Sequence, residues 1–208
     1  MLQKSLDNSS ASIDQVLTMI FEMHELDHLS TTWRERPEWN YKTVEWTPDL
    51  PIRQQSVRFP AFVQLHGDIW LAYEWNYHRT ARIILHTHLL ETIARHQSVM
   101  MDEDTWQMRR ISSLKELSIS IIRNLVDDIL STVPQSLGDI DHEGKITESS
   151  TRIKMCFGIG GYFLLWPIKV IKGNTFATTE QAVAAKSVFE RIRECTGMKS
   201  ILGDKSLI

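Results

Sequence analysis

One stretch constrains the fold more than any other: Gly160-Gly161-Tyr162-Phe163-Leu164-Leu165-Trp166-Pro167-Ile168-Lys169-Val170. It is too apolar for a surface segment. The run from Met155 to Ile171 includes a proline and Lys169, and it falls short of the roughly 20 apolar residues a bilayer span needs. It therefore reads as a fully buried core helix over about residues 150–171, a proline stop, and then a surface helix. Each glycine in a helix interior costs about 1 kcal/mol. Gly158, Gly160 and Gly161 thus call for a packing reason, small residues that let another helix approach closely. They do not read as a phosphate loop, because the preceding strand, the third glycine at the right offset and a lysine are all missing.

The surface helix starts at Thr178 or Thr179. Gln181 stands three residues after Thr178 as a capping box, and Gly197-Met198 closes the helix. Upstream, Ser12 caps a first helix in which Ile13, Val16, Leu17, Ile20, Met23 and Leu26 recur at helical spacing through about Leu29, with Pro37 as the terminator. Residues 37–66 read as irregular but pinned to the core by Trp39, Tyr41, Trp46 and Phe59. Asp68 caps the longest helix, whose stripe is Ile69, Ala72, Asn76, Arg79, Ile83, His86, Leu90 and Ile93, ending near His96. Residues 98–110 read as a polar connector. Leu114, Leu117, Ile121, Leu125, Ile129 and Val133 mark a fourth amphipathic helix that stops at Pro134, with a turn at Leu137-Gly138 and an acidic loop over residues 138–150. A short apolar tail, Ile201-Leu202 to Leu207-Ile208, is expected to add one more turn. No alternating strand pattern and no internal repeat is expected. The fold class is all-α: a single irregular helical bundle of about five to six helices over residues 11–208, with residues 1–10 a disordered N-terminus.

Composition narrows the function classes. The chain has 208 residues, 42% apolar and 24% charged, enough for one domain with a real core. Lys+Arg 23 against Asp+Glu 26 gives a net charge of −3, which argues against direct nucleic-acid binding, since that needs a basic face. The two cysteines, Cys156 and Cys195, cannot build a disulfide framework, have no zinc-finger spacing, and fit a reducing compartment. They read as small core residues. The N-terminus has no apolar core of signal-peptide length, and the short positive run Arg109-Arg110 makes no nuclear import signal.

Five groups of residues carry chemistry on paper. His24-Glu25-Leu26-Asp27-His28 is a literal H-E-x-x-H, which on a helix sets His24 and His28 on one face as zinc ligands with Glu25 as base. Asp27 stands where zinc peptidases carry an uncharged residue, and no third ligand follows at a familiar spacing. His86-x-His88 points two ways on a helix, one histidine to the core and one to solvent. Asp102-Glu103-Asp104 and Asp127-Asp128 read as solvated faces or helix ends. Asn76, Arg79 and Arg82 form a candidate buried polar or effector cluster, with Glu74 or Asp128 as carboxylate partners. The structural reading of that cluster is preferred over binding of an acidic effector.

Four blocks, in order, resemble the regulatory domain of fungal binuclear zinc-cluster transcription factors. The first is Leu26 to Trp33, with Pro37 and Trp39 after it. The second runs from Asp68 to His86. The third runs from Asp127 to Pro134 with Leu137-Gly138, and the fourth from Gly160 to Val170 with Gly197-Met198. The resemblance implies an all-α, non-enzymatic domain serving transcription control in the nucleus, with the cytoplasm as the alternative. It implies no cofactor and no catalytic residues. The six-cysteine DNA reader of that family is missing, and further helices usually precede the first block. The chain thus looks like the second half of a larger regulatory domain, either through a truncated gene model or as a stand-alone half. A halved domain is expected to expose apolar helices and to form a homo- or hetero-oligomer, a full-length zinc-cluster factor being one partner, with no membrane involved. The competing expectations are a zinc-dependent hydrolase using His24, Glu25 and His28, and an inert fragment.

Overall fold

Helical periodicity sets most of the architecture. The computed structural model describes residues 13–32, 34, 36–45, 60–100, 105–145 and 151–196. In chain order its elements are α1 (Ile13–Thr32), a 3-10 turn (Pro37–Trp39), β1 (Lys42–Glu45), β2 (Phe62–Leu65), α2 (Ile69–Met100), α3 (Thr105–Ser131), the single turn α4 (Val133–Ser136), α5 (Thr151–Gly173) and α6 (Thr179–Thr196). This is an all-α fold with five long helices. Among the described residues no helix is long and apolar enough to cross a membrane. Expectations for residues 1–10, Trp46, Phe59, Asp102-Glu103-Asp104, Gly197-Met198 and the apolar tail lie outside the described residues, as do the side chains of Cys156 and Cys195.

Helix α1 buries Val16, Leu17 and Ile20 as its spacing predicts. Leu26 and Leu29 do not continue that stripe. They are exposed, and Asp27 takes the inward position because two basic side chains of α2 await it there. The helix ends where Ser30, Thr31 and Thr32 each turn a hydroxyl onto the carbonyl three residues back, offering the backbone an alternative to further helix.

The expectation of no strand is corrected. Lys42–Glu45 and Phe62–Leu65 pair antiparallel, with Lys42 opposite Leu65 and Glu45 opposite Phe62. Four residues per strand leave little room for an alternating signal. Val63 and Leu65 bury against Ile140, with Val44 packed on them, so this part of the segment is indeed held to the core.

Helix α2 starts as expected, with the Asp68 carboxylate accepting the Leu71 N–H at 2.8 Å. Its stripe from Ala72 through Asn76, Arg79, Ile83, His86, Leu90 and Ile93 is buried throughout, and the helix runs to Met100. The connector expected over residues 98–110 is shorter than that, because α3 begins at Thr105. There Ile111 and Leu114 join Val16, Leu17, Ile20, Leu89 and Ile93 in one core cluster. Leu117 is exposed, and Ser118 and Ile122 occupy the buried face instead.

Pro167 does not stop α5, which continues to Gly173 with the proline inside it. The missing N–H leaves the Phe163 carbonyl without its helical donor. Burial of Leu164, Ile168 and Ile171 against α3 and α6 holds the helix through the break. Nor is α5 fully buried: Ile159, Tyr162 and Trp166 face outward. Of its glycines, Gly160 has the packing reason expected. A Cβ there meets the Ser136 carbonyl oxygen at 1.8 Å, whereas a Cβ at Gly158 meets nothing within 4 Å.

The capping box of α6 is formed. The Gln181 N–H donates to Thr178 Oγ1, and the Thr178 N–H donates to Gln181 Oε1. Arg191 of α6 clamps Asp139 with two hydrogen bonds of 2.6 and 2.8 Å, tying α6 to the turn after α4. Helices α2 and α5 run parallel: Ile69 approaches Gly160, and Asn174 donates to Thr87. Helix α1 runs antiparallel to α2, because Asp27 meets Arg82 while Arg34 meets Glu74.

Candidate functional site

Two features stand out along α2, a buried polar seam on its inner face and an aromatic face on its outer side. The seam centres on Arg79, one of the largest fully buried side chains. Its Nη2 donates to Gln64 Oε1 at 2.7 Å and its Nη1 to Asn76 Oδ1 at 3.3 Å, while Nε stands 3.9 Å from Asp128 Oδ2. Gln64 Nε2 donates to Asp128 Oδ1 at 2.8 Å, and Asn76 Nδ2 donates to Thr132 Oγ1 at 2.8 Å. Burial pushes the Arg79 guanidinium down and the Asp128 carboxyl up, each charge restoring only part of what the other loses. The Asp128 charge is the chief electrostatic support of the guanidinium, while Gln64 and Asn76 accept its N–H groups.

Arg82 belongs to a neighbouring group one turn along. Its Nε and Nη2 grip Asp27 at 2.7 and 2.9 Å, and His86 Nε2 lies 3.2 Å from Asp27 Oδ2. Burial raises the Asp27 carboxyl, but the hydrogen bonds and charges of Arg82 and His86 outweigh it and hold the group well below the usual carboxylate range. The structure thus brings Asn76 and Arg79 together, and places Arg82 with Asp27 rather than with Glu74 or Asp128. Glu74 instead lies 3.9 Å from Arg34. Asp128 is a partner of the seam, not a solvated helix end. His86 is buried and His88 exposed, as helical geometry requires.

The H-E-x-x-H residues divide differently from a zinc site. Glu25 and His28 are exposed and His24 is half-buried, while Asp27 between them is committed to Arg82. Among the described residues no three His, Cys, Asp or Glu side chains group as metal ligands.

Aromatic rings close the seam toward the strands. The Arg34 guanidinium lies 3.9 Å over Trp39 and 5.0 Å from Trp75, and the Arg79 guanidinium lies 5.0 Å from Trp75 on the same ring system. Trp75 Nε1 donates to the Trp39 carbonyl at 2.8 Å. Gln135 exchanges hydrogen bonds with the backbone of His66 at both its N–H and its carbonyl, locking β2 onto α4. The His66 ring is buried with neither nitrogen hydrogen-bonded. Burial and the Arg79 charge push it down to about 3. His78 is pushed down to about 4 by burial and by the Arg34 and Arg82 charges.

These two shifts set a pH dependence. Both folded values lie below the unfolded value of 6.5, so the unfolded chain takes up protons first as pH falls. Stability is complete above about pH 6.5 and declines toward pH 4, each imidazole adding at most about 1.4 kcal/mol per pH unit. Asp27 is depressed in the same sense, by its partners rather than by burial, and its contribution is lost as pH falls through the ordinary carboxylate range toward the lower folded value. His66→Phe is expected to reduce the slope between pH 6 and pH 5 by about one proton. Urea midpoints across that window read this out, and an unchanged slope would mean His66 takes up its proton in the folded chain.

The sequence does not announce the second feature, because the apolar run of α5 reads as buried on all sides. Trp70, Tyr73 and Tyr77 of α2 meet Phe163 and Trp166 of α5 in one continuous set of rings. Centroid separations are 4.9 Å for Trp70–Phe163, 4.4 Å for Tyr73–Phe163, 4.3 Å for Tyr73–Tyr77 and 4.7 Å for Tyr77–Trp166. Tyr162 lies beside Phe163 at 6.1 Å. Trp70 is 60% exposed, Tyr162 61%, Tyr77 39% and Trp166 37%. Spacing held the clue: residues 70, 73 and 77 and residues 159, 162 and 166 each form a helical stripe opposite the core stripe of the same helix. With ring areas of this size, the exposed apolar face amounts to roughly 500 Å², near the top of what a typical monomer leaves open.

Comparison with family models, with curated proteins and with solved structures yields no match for this chain.

Proposed function

We propose that the chain is a non-enzymatic helical regulatory domain of the fungal zinc-cluster transcription-factor type, acting in the nucleus through protein contacts and without a DNA reader of its own. The observation that carries this reading is the exposed aromatic face of α2 and α5. Tyr and Trp dominate the contact energy of protein interfaces, and the polar groups of the seam are largely occupied with one another rather than presented to a ligand. The four blocks that carry the resemblance add support, because they converge. The first meets the second through Asp27 and Arg82, the second meets the third through Asn76 and Thr132, and the fourth rests on α4 through Gly160.

The test is a reporter assay in fungal cells with the chain fused to a heterologous DNA-binding domain. The fusion is expected to change reporter output several-fold relative to the DNA-binding domain alone, in either direction. Trp70→Ala with Tyr162→Ala is expected to return it to baseline at equal protein level. A wild-type fusion that leaves output unchanged overturns the regulatory reading.

A further inference from the structure

We infer that the aromatic face pairs with the same face of a second copy of this chain, forming a two-fold symmetric dimer. The inference names the partner of the surface on which the regulatory reading rests.

The chemistry of the face selects its occupant. Its exposed rings, Trp70, Tyr77, Tyr162 and Trp166, carry no charge, and Ile159 extends the face with another apolar side chain. The ring surface itself is uncharged, bordered by exposed Glu74 one turn from Trp70 and Tyr77 and by exposed Lys169 one turn past Trp166. It matches the charge-depleted cores of homodimer interfaces. Glu74 lies near the Trp70 end and Lys169 near the Trp166 end, so antiparallel pairing with a second copy brings opposite rather than like charges together.

Area agrees. Roughly 500 Å² of exposed apolar side chain is most of the ~800 Å² that each partner of a standard interface contributes, leaving the remainder to a polar rim. Geometry agrees as well. Because α2 and α5 run parallel, a two-fold axis perpendicular to them, passing near Tyr73 and Phe163, sets the helices of the two copies antiparallel. Trp70 at one end of the face then meets Tyr77 and Trp166 at the other end of its mate, ring against ring, and each such contact occurs twice.

Sedimentation velocity on the full chain, from low to high micromolar concentration, tests this. The wild type is expected to sediment as a dimer in the upper part of that range. Tyr162 sits beside Phe163 and close to the axis, so Tyr162→Glu and Tyr162→Lys each bring like charges together, and each variant is expected to be monomeric. Mixed in equal amounts, the two are expected to recover the dimer. Trp70→Glu, at a position 60% exposed, is a second disrupting variant, and circular dichroism checks that helix content is unchanged in all of them. A wild type that stays monomeric throughout overturns the proposal. So do charge variants that remain dimeric, or a mixture that fails to re-associate. A monomeric wild type that still drives the reporter removes the dimer and leaves the regulatory reading standing. A dimer silent in the reporter does the reverse.

Discussion

Arg79→Met is expected to lower the unfolding free energy by about 3–5 kcal/mol, the scale of breaking a buried charged pair from one side. Methionine fills much of the space left by the arginine stem, so the loss is not chiefly a cavity. It comes from acceptors left behind: Gln64 Oε1 and Asn76 Oδ1 lose their donor, and Asp128 keeps a carboxylate with no cation beside it. Each unpaired buried group costs about 1–3 kcal/mol. Arg79→Lys is expected to rescue little, because one ammonium cannot span the fork that reaches Gln64 and Asn76 together. Asp128→Asn placed on top of Arg79→Met is expected to recover part of the loss by removing the uncompensated charge. Urea unfolding of the three variants measures this. A loss below about 1 kcal/mol for Arg79→Met would mean that water reaches the seam's acceptors and the cluster contributes little to the fold.

The seam was partly legible in the sequence. Asn76 and Arg79 on the stripe of Ile83 and Leu90 announce a buried polar pair, because a helix face that is otherwise apolar leaves them no solvent. Their partners were not legible. Gln64 lies on a strand too short to show alternation, and Thr132 is an ordinary residue at a helix end. Asp27 stands between Leu26 and Leu29 inside a literal H-E-x-x-H, and nothing local marks it as an inward-facing charge. Its inward position follows from Arg82 and His86 on another helix, a tertiary constraint that α1's own spacing cannot express.

The fold class was legible for the opposite reason. The helices from Ile69, from Leu114 and from Thr179 each carry long stripes or explicit caps, which are local signals. Pro167 shows where local reasoning fails. The lost hydrogen bond at Phe163 is a local penalty, while burial of Leu164, Ile168 and Ile171 on either side of it is a tertiary gain, and the gain prevails. The aromatic face was missed by the same route. A run of apolar residues says that a helix has a core side, but only the packing of α2 against α5 shows that Tyr162 and Trp166 lie outside it.

Gly160 and Gly158 are expected to respond to alanine with opposite signs. They lie one half-turn apart in the same helix, so intrinsic propensity favours alanine at both by about 1 kcal/mol. At Gly158 nothing stands within 4 Å of the new Cβ, and the full gain is expected. At Gly160 the Cβ falls 1.8 Å from the Ser136 carbonyl oxygen and 2.8 Å from its carbon. These are backbone atoms at the end of α4, a turn already fixed by Pro134 and by the Gln135 bonds to His66, so they cannot swing aside like a side-chain tip. Helix α5 must move away instead, at an overpacking cost of about 3 kcal/mol that reverses the propensity gain. That movement also draws Phe163 and Trp166 away from Tyr73 and Tyr77, so Gly160→Ala is expected to weaken dimer formation while Gly158→Ala leaves it intact. Thermal unfolding and sedimentation of the two variants side by side settle the matter. Equal stabilisation by both would mean that α5 does not rest on α4 at this glycine, and the parallel seating of α5 beside α2 would lose its anchor.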